Sequence, residues 1–394
     1  MKYVMVILDG AVDRPLKVLE DRTPLMAAAG EHLKAMARKA RVGAVQPLPP
    51  DWTGDPEAAL VSLLGYPPAE FTGRGPLEAA SLQVDLDHAD IVFSLNFVHM
   101  ANDRVVDATA GRLPAAEGRD LALFLEQRLR IRDLQFFPYS GARHVLVWRD
   151  GPDGIRCEPP HAAVGEPLRA HFPTGDRAER LIGAMWDTAE VLADHPINRR
   201  RRDQGLPTAD LAWPWAPGRA PQLQPFGVRH GIGGACVAGS ALVRGLARLT
   251  GLRVLDVPGA TGSLDTDYQR KARAVLSALE SFNFCLAHLE APNAASLEGD
   301  WEAKVDALAR IDERFFGTLL ERIGMLDNFR ILVVVDHATY VEERRAAPAW
   351  MPFMLSGNQE QPQKQGVLPF DERAAEEAEW RLDDARRLLD ALFE

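Results

Sequence analysis

Asp9 and the pair Asp336-His337 each stand directly after a short apolar run, Val4–Leu8 and Arg330–Val335. Open α/β sheets bind ligands outside the carboxyl ends of their strands. Two carboxylates and an imidazole delivered there could hold a divalent metal through mixed oxygen and nitrogen donors. Taken singly, a strand-end aspartate is more often a cap or turn residue. His288 ends a third run, Phe282–His288, and suits ligand contact and a structural hydrogen bond equally. Arg199–Arg202 is a four-arginine run that either lines an anion pocket or lies solvated. Trp213 and Trp215 flank Pro214 and read as a packed wall rather than a base-stacking platform.

The elements that must position these residues follow a strand-then-helix rhythm. Val4–Leu8 leads into Thr23–Ala40, with Thr23 as N-cap and Pro24 at the first helical position. Ala235–Ala238 leads into Ala241–Thr250, Arg253–Val257 into Tyr268–Leu279, and Phe282–His288 into Trp301–Ile323. Such alternation predicts a mostly parallel sheet flanked by helices. The middle of the chain differs: Ile91–Val98, Arg104–Val106 and His144–Trp148 read as strands and Leu121–Leu129 as a helix of a smaller α+β insert. Residues 194–225 show little periodicity and read as a long ordered connection. The predicted plan is a core of residues 1–84 and 226–394, an insert of 85–193, and that connection. Asp371–Glu394 reads as one amphipathic terminal helix.

With 45 basic against 56 acidic residues, net charge −11, the 394-residue chain is a poor candidate for a phosphate-backbone-binding surface. No apolar run approaches the length of a membrane span. Cys157, Cys236 and Cys285 lie far apart with no CxxC pair, which fits a reducing cytoplasm. The expected partners are small anionic metabolites or a protein, with neither nucleic acid nor membrane.

Longer motifs narrow the reading. ILDGAVDRP (Ile7–Pro15), SLLGYPP (Ser62–Pro68), FTGRGPLEAAS (Phe71–Ser81), HPINRR (His195–Arg200), VPGATGSLDTDY (Val257–Tyr268), HLEAPN (His288–Asn293) and DHAT (Asp336–Thr339) occur in one order along the whole chain. In this the sequence resembles the archaeal-type cofactor-independent phosphoglycerate mutases of the alkaline phosphatase superfamily. The resemblance implies an alkaline-phosphatase-like α/β core with an inserted domain. It also implies a serine nucleophile flanked by two divalent metals, which activate it and neutralise phosphoryl charge. Asp9, Asp336 and His337 match the metal pocket nearest the serine. Lys271 matches a lysine that reaches the phosphoryl group, and Arg74, Asn96, Arg112, Arg143 and Asn198 fall in motifs of the ligand cleft.

The remaining chemistry departs from the family. Counting back from Gly65-Tyr66, the serine position falls on Pro56, followed by Glu57, and proline has no nucleophilic atom. A shifted alignment would recruit Thr53 or Ser62 instead. The ligands of the other metal pocket are replaced by Asn293, Leu297 and Ala346, none of which supplies a charge or an imidazole. Loss of a nucleophile costs a hydrolase of this logic on the order of 10⁶-fold in rate. The expectation is therefore a phosphoglycerate-mutase-like pseudoenzyme with at most one divalent metal (Mn, Mg or Zn) or none. It would keep an anion-binding cleft for a phosphorylated or carboxylated metabolite, or bind a protein such as an active paralogue. The alternatives are a single-metal enzyme using Asp9, Asp336 and His337, and a residual mutase.

Overall fold

A computed structural model describes residues 1–28, 30–52, 55–358, 360 and 368–394, so Thr53 lies outside the described residues. The chain forms two units: Met1–Phe71 with Gln222–Glu394, and Thr72–Pro221.

In the first unit, Lys2–Leu8 is the central strand of an eight-stranded sheet. It pairs in parallel with Phe284–Leu289 on one side and Phe329–Val335 on the other. Val4 to Leu8 are all buried, as expected of a strand covered on both faces, and the continuous apolar run records that burial. Gly234–Val237 and Arg253–Val254 extend the parallel side. On the other side, Met351–Gly357 runs antiparallel to both of its neighbours, Phe329–Val335 and Arg41–Val45, and Arg381–Leu382 pairs in parallel with Arg41–Val45. The α/β expectation therefore holds, with two antiparallel joins. Strand register sets where the polar residues emerge. Leu8 lies beside both Val335 and Leu289, so Asp9, Asp336 and Glu290 leave the sheet at one end, with His288 one step behind.

Two helices differ from expectation. Thr23–Ala40 divides into Pro24–Ala28 and Glu31–Ala37, although Thr23 does cap, its Oγ1 accepting the Met26 N–H at 3.1 Å. The break lies at Gly30, where a Cβ would stand 2.0 Å from Oδ2 of Asp312. That carboxylate, from a π-helical turn Ile311–Phe316, accepts the N–H groups of His32 and Leu33 and so caps the second helix from outside. The single terminal helix is corrected to two short ones, Glu372–Glu377 and Arg387–Phe393. Between them the carbonyls of Trp380 and Leu382 accept the Ala44 and Gln46 N–H groups, so satisfying an open sheet edge outweighs helical pattern.

The second unit is built on Ile91–Ala101, which pairs antiparallel with Arg104–Asp107, Arg143–Trp148 and Leu211–Gly218. Leu134–Ser140 adds beyond Arg143–Trp148, and helices Ala115–Leu129 and Ala178–Ala193 cover its core. The stretch read as a connection, 194–225, instead contributes helix Pro196–Asp203 and strand Leu211–Gly218. That pairing, with helix Arg74–Ser81 seated so closely that a Cβ on Gly75 would meet the Val92 carbonyl at 2.4 Å, carries the unit's bounds outward from 85–193 to 72–221.

Candidate metal centre and ligand-contacting groups

The sheet register delivers Asp9, His288 and Asp336 to one buried point, where one donor atom from each lies within 4.8 Å of the others. Asp336 is fixed first: its Oδ1 accepts the N–H groups of Gly10 at 3.1 Å and His337 at 2.9 Å. Its Oδ2 then lies 3.1 Å from Nδ1 of His337. Asp9 sits between two imidazoles, Oδ2 at 3.4 Å from Nε2 of His288 and Oδ1 at 3.6 Å from Nε2 of His337.

The charges are unevenly settled. Burial, reinforced by the carboxylates of Asp336, Glu290 and Glu57, pushes the Asp9 carboxyl well above its usual range. Burial also opposes ionisation of Asp336, but the adjacent His337 outweighs it and holds that carboxyl low. Burial likewise opposes protonation of His337, and Asp336 reverses the balance, raising the imidazole. Burial drives His288 down to about 4, so it is a neutral imidazole with a lone pair to offer. Oδ1 of Asp9, both ring nitrogens of His288 and Nδ1 of His337 are buried without a hydrogen-bond partner. Orphaned buried polar atoms of this kind are rare, and crowded carboxylates beside a neutral imidazole are what a divalent cation would relieve. The residues present fit one such ion, with Asp9 and Asp336 as its carboxylate donors and the imidazoles of His288 and His337 beside them.

At the three positions the family resemblance assigns to a second pocket, no side chain carries a carboxylate or an imidazole. Asn293 Oδ1 accepts the Thr339 hydroxyl at 2.8 Å, and Thr339 faces Ala346 in the two-stranded pair Ala338–Tyr340 and Arg345–Ala347. Leu297 is 49% exposed on its helix, Ala291–Glu298. Pro56 is exposed in the turn before helix Ala58–Leu63, and Ser62 is buried inside that helix. Glu57, beside Pro56, acts electrostatically on both Asp9 and His337.

Lys271, on helix Tyr268–Ser281, is buried, and its Nζ donates to the carbonyls of Thr261 at 2.9 Å and His288 at 3.5 Å. Burial lowers its pKa to about 8, against the opposing pull of Glu290. The ammonium thus shares a backbone carbonyl with the metal centre's own histidine.

In the second unit a separate group gathers around Glu78, which is buried and accepts from Arg74 Nε at 2.7 Å and the Ser94 hydroxyl at 2.6 Å. Arg143 lies 3.8 Å from the same carboxylate, and the Arg74 guanidinium lies over the Trp215 ring. Asn96 joins them but is committed, its Oδ1 accepting Trp215 Nε1 at 3.0 Å and its Nδ2 donating to the Ala108 carbonyl. Arg112 is exposed in a left-handed turn. Asn198 requires correction as a ligand contact: it is fully buried, and its amide is engaged by the backbone of Leu192 and Ala209. Arg201, from the arginine run, is likewise buried and bonded to Pro207, Ala110 and Glu117. Trp213 is a core residue, as expected. Sequence reasoning missed Glu57, Glu290 and His161, the last lying within electrostatic reach of Arg143 and Arg74. An acidic residue next to Pro56, where the resemblance places the nucleophile, was the one signal available for Glu57.

Comparison with known proteins gives this arrangement its lineage. Residues 37–198 match the family model described as 2,3-bisphosphoglycerate-independent phosphoglycerate mutase. The probable 2,3-bisphosphoglycerate-independent phosphoglycerate mutase of Geobacter sulfurreducens is 37% identical over the full length of both chains. That of Methanothrix thermoacetophila is 36% identical, again over both full lengths. Among solved structures, a Pyrococcus horikoshii protein superposes with a TM-score of 0.82 at 26% identity, covering 99% of this chain and 96% of that one. The cofactor-independent phosphoglycerate mutase of Thermoplasma acidophilum gives 0.63 at 28% identity, covering 100% and 99%. End-to-end identity above 30%, over a sheet that gathers Asp9, Asp336 and His337 at one edge, places the chain in the 2,3-bisphosphoglycerate-independent phosphoglycerate mutase family.

Proposed function

We propose that this family member does not move a phosphoryl group between the two hydroxyl positions of glycerate. In this reading it holds one divalent ion at the Asp9–Asp336 centre and binds a small phosphorylated or carboxylated metabolite there. The observation that carries the reading is the pairing of Pro56 with Glu57. Where the resemblance calls for a serine alkoxide, the chain offers no nucleophilic atom and adds a carboxylate that acts on Asp9. A carboxyl group at that place disfavours an incoming phosphoryl group. Asn293, Leu297 and Ala346 support the same reading, since the second cation that would offset the charge has no donors. What remains for an anion is the ion at Asp9 and the Lys271 ammonium.

Phosphorus NMR of 2- and 3-phosphoglycerate with added Mn²⁺ tests the proposal. No interconversion above background is expected, and turnover above about 1 per second, within the ordinary enzyme range, overturns it. A second reading, a single-metal enzyme with another reaction, is favoured by one observation: a lysine at about 8 beside the centre can exchange a proton near neutral pH. Turnover of other phosphorylated metabolites that disappears in Lys271→Met would favour it.

A further inference from the structure

His288 is the least explained side chain in the core unit. It is 1% exposed, and neither ring nitrogen has a hydrogen-bond partner. A structural histidine buried so deeply ordinarily donates through one nitrogen and accepts through the other. Nε2 instead faces Oδ2 of Asp9 at 3.4 Å. Donor atoms bound at about 2.1 Å to one ion stand about 3.0 Å apart at a right angle and about 3.4 Å apart at a tetrahedral angle. The separation of the Asp9 and His288 donors is thus the edge of a coordination polyhedron, and Asp336 completes the triangle within 4.8 Å. His337 also has an unpartnered Nδ1, but both its nitrogens face carboxylates, Nδ1 at 3.1 Å from Asp336 and Nε2 at 3.6 Å from Asp9, in the manner of a counter-ion. Of the His288 nitrogens only Nε2 does so.

We propose that His288 is an inner-sphere ligand of the ion held by Asp9 and Asp336, so that imidazole coordination at this centre does not depend on His337. The proposal rests on the reading that the centre takes one divalent ion. It has a chemical consequence: a neutral imidazole set among carboxylates favours Zn²⁺, Co²⁺ or Mn²⁺ over Mg²⁺, which prefers oxygen donors and retained water. Because Phe284–Leu289 is a buried interior strand, its backbone fixes His288 more firmly than a loop would.

The experiment loads the full-length protein with slightly less than one equivalent of Cu²⁺. Pulsed EPR then looks for modulation from the remote imidazole nitrogen in wild type, His337→Gln, His288→Gln and the double variant. Co²⁺ affinity is measured in parallel by calorimetry. Imidazole modulation is expected to persist in His337→Gln and to vanish in the double variant, with Co²⁺ affinity in His288→Gln reduced about tenfold or more. His337→Gln that binds copper without imidazole modulation removes His288 from the ligand set while leaving the one-ion reading intact. Modulation that survives in the double variant means copper sits on a histidine elsewhere, and it overturns the proposal. Wild type that takes up neither ion overturns this proposal and the one-ion reading together. His337→Gln leaves His288 in place, so the central comparison does not depend on the variant with the deeper substitution folding.

Discussion

Replacing Lys304 with methionine should loosen the core unit more than any surface change could. Lys304 has no solvent exposure, and its Nζ donates to Asp13 Oδ2 at 2.7 Å and to the carbonyls of Thr339 at 2.8 Å and Val12 at 3.3 Å. The ammonium thereby ties the loop following Asp9 to the strand following His337. Methionine fills the volume but leaves Asp13 buried with the amides of Arg14 and Val341, removes a donor from the Thr339 carbonyl, and leaves the Val12 carbonyl with the Thr339 N–H. Breaking one side of a buried ion pair costs about 3–5 kcal/mol, or roughly 10²- to 10⁴-fold in an opening equilibrium. Hydrogen exchange at the Val4–Ile7 amides reads this directly, because the central strand opens only with the unit as a whole. Those amides should exchange faster by that factor in Lys304→Met. Lys304→Met combined with Asp13→Leu removes both charges and should recover most of the loss. Acceleration of less than about tenfold in the single variant, or a double variant no better than the single, would refute the reasoning.

Glu372 supplies a pH test. Burial raises its carboxyl from 4.5 to about 7, so the folded state binds this proton more tightly than the unfolded chain does. The resulting stability is complete below about pH 4.5 and is lost as pH rises through about 7, by up to ~3 kcal/mol. Melting temperatures between pH 5 and 8 should fall in wild type and flatten in Glu372→Gln; an equal slope in both counts against the assignment. Elemental analysis after metal loading should give one ion per chain, and two tightly held ions would show that a second donor set exists. Lys271→Ala should weaken phosphate or phosphoenolpyruvate binding by about one to two orders of magnitude in calorimetry. Unchanged affinity with a lower melting temperature would leave the lysine its two carbonyl bonds as its role.

The first unit was largely legible because burial on both faces writes a strand as an uninterrupted apolar run, and Val4–Leu8 and Arg330–Val335 carry their aspartates at the end of such runs. The strand Leu211–Gly218 escaped notice because Pro214 and Pro217 interrupt its pattern. Proline is tolerated there since, among the described residues, the strand pairs only with Ile91–Ala101. Asn96 and Asn198 could be aligned to ligand contacts, yet nothing in a residue's type reveals that its amide is already engaged by a neighbouring backbone or indole. His288 illustrates the reverse: two bonding alternatives fit it equally in sequence, and only its unpartnered nitrogens separate them. Glu57 and Glu290 reach the centre through turns whose direction no periodicity encodes.

The central strand has a consequence for how the chain is made. Lys2–Leu8 leaves the ribosome well before its partners, Phe284–Leu289 and Phe329–Val335. At about 5–20 residues per second, roughly 15–60 s of synthesis separates the strand from the first of them. Thr72–Pro221, whose sheet pairs strands within its own span, is finished well before that. The second unit can therefore condense during elongation while Lys2–Leu8 waits with both edges bare. This order makes Lys2–Leu8 a segment that would gain from a holding chaperone until its partners emerge.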